Sequence, residues 1–138
     1  MYVTENDYVV IGQDALTILQ KSDDARREVA EQAAAREITG YLGARYDMKV
    51  EYARTDFERN MKVVQVFCDL VLYALACSQS GRINYEMRKQ RYDDAIKWLA
   101  AAKTQNLELP TYEAADGADP DAGNPIKWDS MKKMKNDW

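Results

Sequence analysis

The hydrophobic positions of this chain change their period along its length, and each change marks an element. "TEND" at residues 4–7 places a threonine hydroxyl three residues before an aspartate, close to the capping-box pattern, and predicts a short helix that Gly12 ends. "DALTILQK" from Asp14 predicts a second short helix, closed by "SDD". Ser22 then caps a longer one, in which Ala25, Val29, Ala30, Ala33, Ala34, Ile38, Tyr41 and Leu42 recur at helical spacing. Asp23, Arg27 and Glu31 form an i,i+4 ladder on another face. Gly40 and Gly43 each cost about 1 kcal/mol against alanine inside a helix, which points to a tight crossing or a fraying end.

Residues 47–60, "DMKVEYARTDFERN", lose the helical period. Met48, Val50 and Tyr52 alternate, which fits either a short extended arm or an exposed loop. Residues 61–79, "MKVVQVFCDLVLYALACSQ", are apolar on nearly every side, with Lys62, Gln65, Asp69 and the Tyr73 hydroxyl forming one narrow polar stripe. A helix apolar almost all round is the buried centre of a bundle. Gly81 stops it. "NYEMRKQRYDDAIKWLAAAK" reads as a one-sided helix, with Tyr85, Tyr92, Ala95, Ile96, Leu99 and Ala102 inward and Lys89, Asp93 and Lys97 outward. "NLELP" ends it at Pro110. Three long and two short helices with no convincing sheet predict an all-α bundle over residues 1–110, followed by an extended C-terminal tail over residues 111–138.

Composition narrows what such a bundle does. The chain has 138 residues, 46% of them hydrophobic and 30% charged, enough for one domain with a core. The mean hydropathy of −0.59 predicts a soluble protein. "MYVTENDY" has neither a basic nor an apolar leader region, so an intracellular protein is expected. The longest apolar run, residues 63–77, is interrupted by Gln65 and Asp69 and is short for about 30 Å of hydrocarbon, so no membrane is expected. Cys68 and Cys77, nine apart in that run, read as small core residues in a reducing compartment. The net charge of −4 argues against affinity built on phosphate neutralisation.

Catalytic and metal chemistry find little to work with. The chain has no histidine, hence no conventional triad and no base poised near neutrality. Asp23–Asp24 and Asp93–Asp94 are sequence neighbours, which point to different helix faces. "DGADPDAGN" at residues 116–124 lacks the calcium-loop spacing, and Lys127 stands where that loop needs a bidentate glutamate. The sequence therefore predicts no enzyme, no cofactor, no metal and no small-molecule substrate. "MRKQR" at residues 87–91 has acids on both sides and reads as a solvated helix face. Asp69, midway along the most apolar helix, needs a buried ion pair, with Arg45 and Arg91 as candidates.

Two stretches read as partner contacts. Trp128, Met131, Met134 and Trp138 bring two of the three tryptophans into the tail, interleaved with Lys132, Lys133 and Lys135. Exposed indoles on a free chain invite aggregation, so they are expected to meet a partner, an acidic protein groove in preference to DNA. The linker over residues 111–125 would order on binding. Tyr52, Arg54, Phe57 and Arg59 form the second candidate, projected from the end of the bundle unless the aromatics fold back onto it.

"EITGYLGARYDM" (residues 37–48), "ERNMKVVQVFCDLVLYAL" (residues 58–75) and "RYDDAIKWLAAAKTQNLELP" (residues 91–110) follow one another in an order that resembles a known family. It is that of the head–tail adaptor, connector or head-completion proteins of tailed double-stranded DNA bacteriophages and prophages, particularly the Mu-like and Bacteroides-type branch. The "W.S..K..N.W" ending is similar to that branch as well, whereas the acidic tail here is longer. The resemblance implies a structural virion protein, made in the host cytoplasm and located at the head–tail interface. It implies a homo-oligomeric ring of about twelve copies, bound to the portal protein and to neighbouring connector or tail proteins. Packaged DNA would pass through without sequence-specific binding, and an acidic lumen suits that passage. The alternative is an intracellular helical regulatory or protein-interaction module, which would act as a monomer or dimer.

Overall fold

The computed structural model describes residues 2–79 and 84–112. Among these, six α-helices and one 3₁₀ turn form an all-α fold: α1 (Glu5–Ile11), α2 (Ala15–Gln20), α3 (Asp24–Leu42), α4 (Met48–Tyr52), the turn Asp56–Glu58, α5 (Met61–Ser78) and α6 (Tyr85–Ala102). The main contacts join α5 to α6 and α5 to α3, with α1 and α2 laid against α5.

α5 is the centre because its sequence leaves it little choice. Asn60 starts it, its side-chain oxygen accepting from the backbone N–H of Lys62 at 3.0 Å and Val63 at 3.1 Å. Val63, Val66, Cys68, Val71, Leu72 and Ala76 are essentially sealed from solvent. The 18 residues of this helix are long and apolar enough to cross a membrane by composition, and 61% of them are buried inside the bundle instead. Ile38, Leu42, Leu99 and Ala102 close on it from α3 and α6. Burying a leucine or isoleucine side chain contributes about 1.5–3 kcal/mol, so this seam dominates the fold.

The capping box at Thr4 and Asp7 is present, and Gly12 caps α1. The start of α3 differs from expectation. Asp23, not Ser22, is the cap and accepts from Arg26 N at 2.7 Å, while the Ser22 hydroxyl turns back to Ile18 O. The buried face of α3 is narrower too: Ala30, Ala34, Ile38 and Leu42 are inside, whereas Ala25, Val29 and Ala33 are exposed. Gly40 marks no close crossing, since a methyl group there would meet nothing within 4 Å. Gly43 is the C-cap of α3, donating to Thr39 O at 2.7 Å.

Residues 47–60 are neither an extended arm nor an open loop. Asp47 caps the five-residue α4, which buries Met48 and Glu51. Five residues are too few to display a helical period, and the alternation of Met48, Val50 and Tyr52 is the accidental trace of one turn. Cys68 is buried as expected, with burial foremost in pushing its thiol up. Cys77 is exposed and is not a core residue. In α6, Ala95, Leu99 and Ala102 are buried, and Tyr85, Tyr92 and Ile96 are half-buried. Gly81, expected to stop α5, lies outside the described residues.

Candidate docking surfaces

What a partner meets depends on which polar groups the bundle keeps for itself, and it keeps several unexpected ones. Residues 2–14 are fastened by four polar contacts, three buried and one, Arg59 to Asp7, part-buried. The Tyr2 hydroxyl donates to Glu51, the Tyr8 hydroxyl donates to Glu31, Arg59 pairs with Asp7, and Arg88 pairs with Asp14. Burial and the hydrogen bond to a carboxylate together push both tyrosine hydroxyls well above the usual phenol range. Glu31 is therefore not part of a solvated ladder: it is 4% exposed, although Arg27 does lie 3.5 Å from it.

Arg88 overturns the reading of "MRKQR" as a solvated face, because its guanidinium is completely buried. Its Nε donates to Asp14 Oδ2 at 2.8 Å, and its Nη1, without a hydrogen-bond partner, lies 3.7 Å from Asp69. Asp69 has Arg91 as its main partner at 2.8 Å, as anticipated, with Arg88 as the second. Arg45 is used elsewhere, donating to Lys103 O and Gln105 O at the end of α6. Burial holds the Asp69 carboxyl above the usual carboxylate range, against the pull of Arg91 and Arg88.

The four residues expected to project from the end of the bundle divide. Tyr52 folds back: it is half-buried, packs edge-on against Tyr2 at 5.2 Å, and donates to Ala35 O at 3.0 Å. Arg59 is 8% exposed and braces the turn from inside, donating to Asp56 O at 2.7 Å and Tyr2 O at 2.8 Å. Arg54 lies 3.5 Å from Glu51 and donates to Glu58 O. Phe57 alone points outward, 90% exposed. It follows Asp56, whose φ of 52° is left-handed, a conformation that aspartate tolerates better than most residues. Two arginines thus hold a turn whose tip is a bare phenyl ring.

The chain beyond α6 is carried across the same end of the bundle. Tyr46 OH donates to Gln105 O at 2.7 Å, Asp47 N donates to Pro110 O at 2.7 Å, and Tyr46 pairs with Thr111. The last described residue, Tyr112, donates its hydroxyl to Gly43 O. Trp128, Met131, Lys132, Lys133, Met134, Lys135 and Trp138 lie outside the described residues, as does most of the linker.

The sequence profile of the family described as "Bacteriophage Mu, Gp36" matches residues 2–127. The chain belongs to the bacteriophage Mu Gp36 family. Neither the curated proteins nor the solved structures yield a match. For this Gp36-family protein the match runs through every described element, including the N-terminal segment that the buried carboxylates pin down. Sequence reasoning missed those pins. Their only trace is a set of charged or hydroxyl-bearing residues at positions that helical spacing leaves ambiguous.

Proposed function

We propose that this protein is a structural component of the virion that forms a ring, joins the portal vertex to the next connector ring or tail, and helps to retain packaged DNA. The observation that supports this reading best is membership of the Mu Gp36 family over residues 2–127. The shape of the surface agrees with it. An exposed phenyl on a braced turn is already ordered, so docking it costs little conformational entropy. The tail, with Trp128, Met131, Met134 and Trp138 as anchors and Lys132, Lys133 and Lys135 around them, is the second contact, seated on the portal or on a neighbouring subunit. Tryptophans in such positions commonly contribute more than about 2 kcal/mol each.

Deletion of residues 116–138 tests this division of labour. The expected product is a bundle that still folds, shown by a cooperative unfolding transition, but no longer enters particles. Normal incorporation of the truncated protein would show that the tail is not the clamp. Recovery of the full-length protein with one small cytoplasmic partner, and none in particles, would favour a regulatory module instead.

A further inference from the structure

An apolar trough of about 490 Å³ runs between the first half of α3 and the last turns of α5. Ala25, Val29 and Ala33 form one wall, Ala74 and Ser78 the other, and Leu75 lies in the floor. Val29 is 68% exposed on its rim, although the helical spacing of α3 reads it as an inward position. Nothing among the described residues covers this trough. Its apolar walls are mostly small side chains, with Asp23 and Arg26 at the edge toward the start of α3, so it accepts flat or long apolar groups carrying a charged flank.

The chain supplies such groups itself. If residues 128–138 are placed on a helix, Trp128, Met131, Met134 and Trp138 fall within an arc of about 120°. Lys132 and Lys133 lie outside that arc, and Lys135 is the one polar residue of the stretch inside it. This is the anchor pattern of an amphipathic helix laid into a groove. The attachment point also suits it. Tyr112 is tied to Gly43 at the end of α3, and the distance back along α3 from Gly43 to Ala25 is about 27 Å. Residues 113–127 span up to about 50 Å when extended, so the stripe reaches the trough with slack.

We propose that, before assembly, this trough is the seat of the chain's own C-terminal segment, residues 128–138. The tethering linker sets a local concentration on the order of millimolar, which favours the intramolecular seat over a second copy at dilute protein concentrations. The seat removes two indoles from water while the protein waits for its partner. Release of the segment then frees the same anchors for docking. The seat does not rest on the connector reading, and either stands if the other fails.

The test uses the full chain carrying Trp98→Phe, so that emission comes from Trp128 and Trp138 alone. Ala33→Arg is then added to block the trough at an exposed helical position where arginine is well tolerated, and Val29→Lys serves as a second, independent block. A cooperative unfolding transition establishes that each blocked variant is folded. The expected result is blue-shifted emission shielded from acrylamide in the unblocked protein, independent of protein concentration. Both blocked variants should then show red-shifted emission and a raised quenching constant. Equal quenching with and without the blocks would overturn the proposal. So would shielding that appears only as protein concentration rises, which would assign the trough to a second copy.

Discussion

Arg88 and Asp14 meet inside the protein, with Arg88 Nε 2.8 Å from Asp14 Oδ2 and their side chains 0% and 5% exposed. The pair fastens α6 to the residue that begins α2. Gly12 stands against it, since a methyl group at that position would collide with both the guanidinium and the carboxylate. A charge pair this deep is costly to break from one side, because the other charge is left without a partner.

Arg88→Met is accordingly expected to cost about 3–5 kcal/mol, measured by denaturant unfolding. Asp14→Asn added to it should recover part of that loss, because it removes the carboxylate that the first change strands. A second substitution whose cost simply adds to the first would show that the two groups are not coupled.

The acid limb of stability follows from Asp7 and Asp14. Burial opposes ionisation of both, but hydrogen bonds from Arg59 and Arg88 outweigh it and hold both carboxyls below the ordinary value of 3.8. Below that value the unfolded chain takes up protons that the folded protein refuses. The contribution of these groups is therefore complete above it and is lost as the pH falls through their folded values. Asp69 has the opposite sign. Its raised carboxyl makes folding relatively easier as the pH falls, so it offsets a part of the loss. Melting of Asp7→Asn against the parent should show a clear deficit at neutral pH that closes toward the acid end. A deficit of constant size would contradict the Asp7–Arg59 account.

Gly40 is a helical residue in open surroundings, so Gly40→Ala is expected to raise stability by about 0.5–1 kcal/mol through the unfolded chain alone. A loss of stability in the same denaturant titration would mean that the position is crowded after all.

Phe57→Ser separates docking from folding. With the ring 90% exposed, unfolding free energy should stay within about 0.5 kcal/mol of the parent. Incorporation into particles, scored by immunoblot of purified virions, should fall. Undiminished incorporation would assign the ring no part in the interface.

The sequence made the apolar skeleton visible because helical period and apolar burial are the same fact seen twice. α3, α5 and α6 were legible for that reason, and α5 was recognisable as the centre from its nearly uninterrupted apolar circumference. The polar interior was not legible. Arg88 stands in a run of charges that also describes a wet surface, and its partner Asp14 is 74 positions away. Glu31 has Arg27 one turn before it, which is the pattern of a surface ladder, and only the approach of Tyr8 reveals that it is buried. Of the candidate docking residues, Phe57 was separable from Tyr52 and Arg59 only once the turn was seen to be braced from inside. The aromatic spacing of the tail was readable directly.

The proposed function makes this chain a repeated structural part of a tailed particle. The most direct measurement is quantitative mass spectrometry of purified intact particles from the native source. The protein should be left untagged at its start, because Tyr2 and Val3 are 5% and 1% exposed and belong to the core. This chain is expected in fixed multi-copy ratio to the portal protein, on the order of one per portal subunit. Its absence from intact particles, with the protein abundant in the infected cell, would contradict the account.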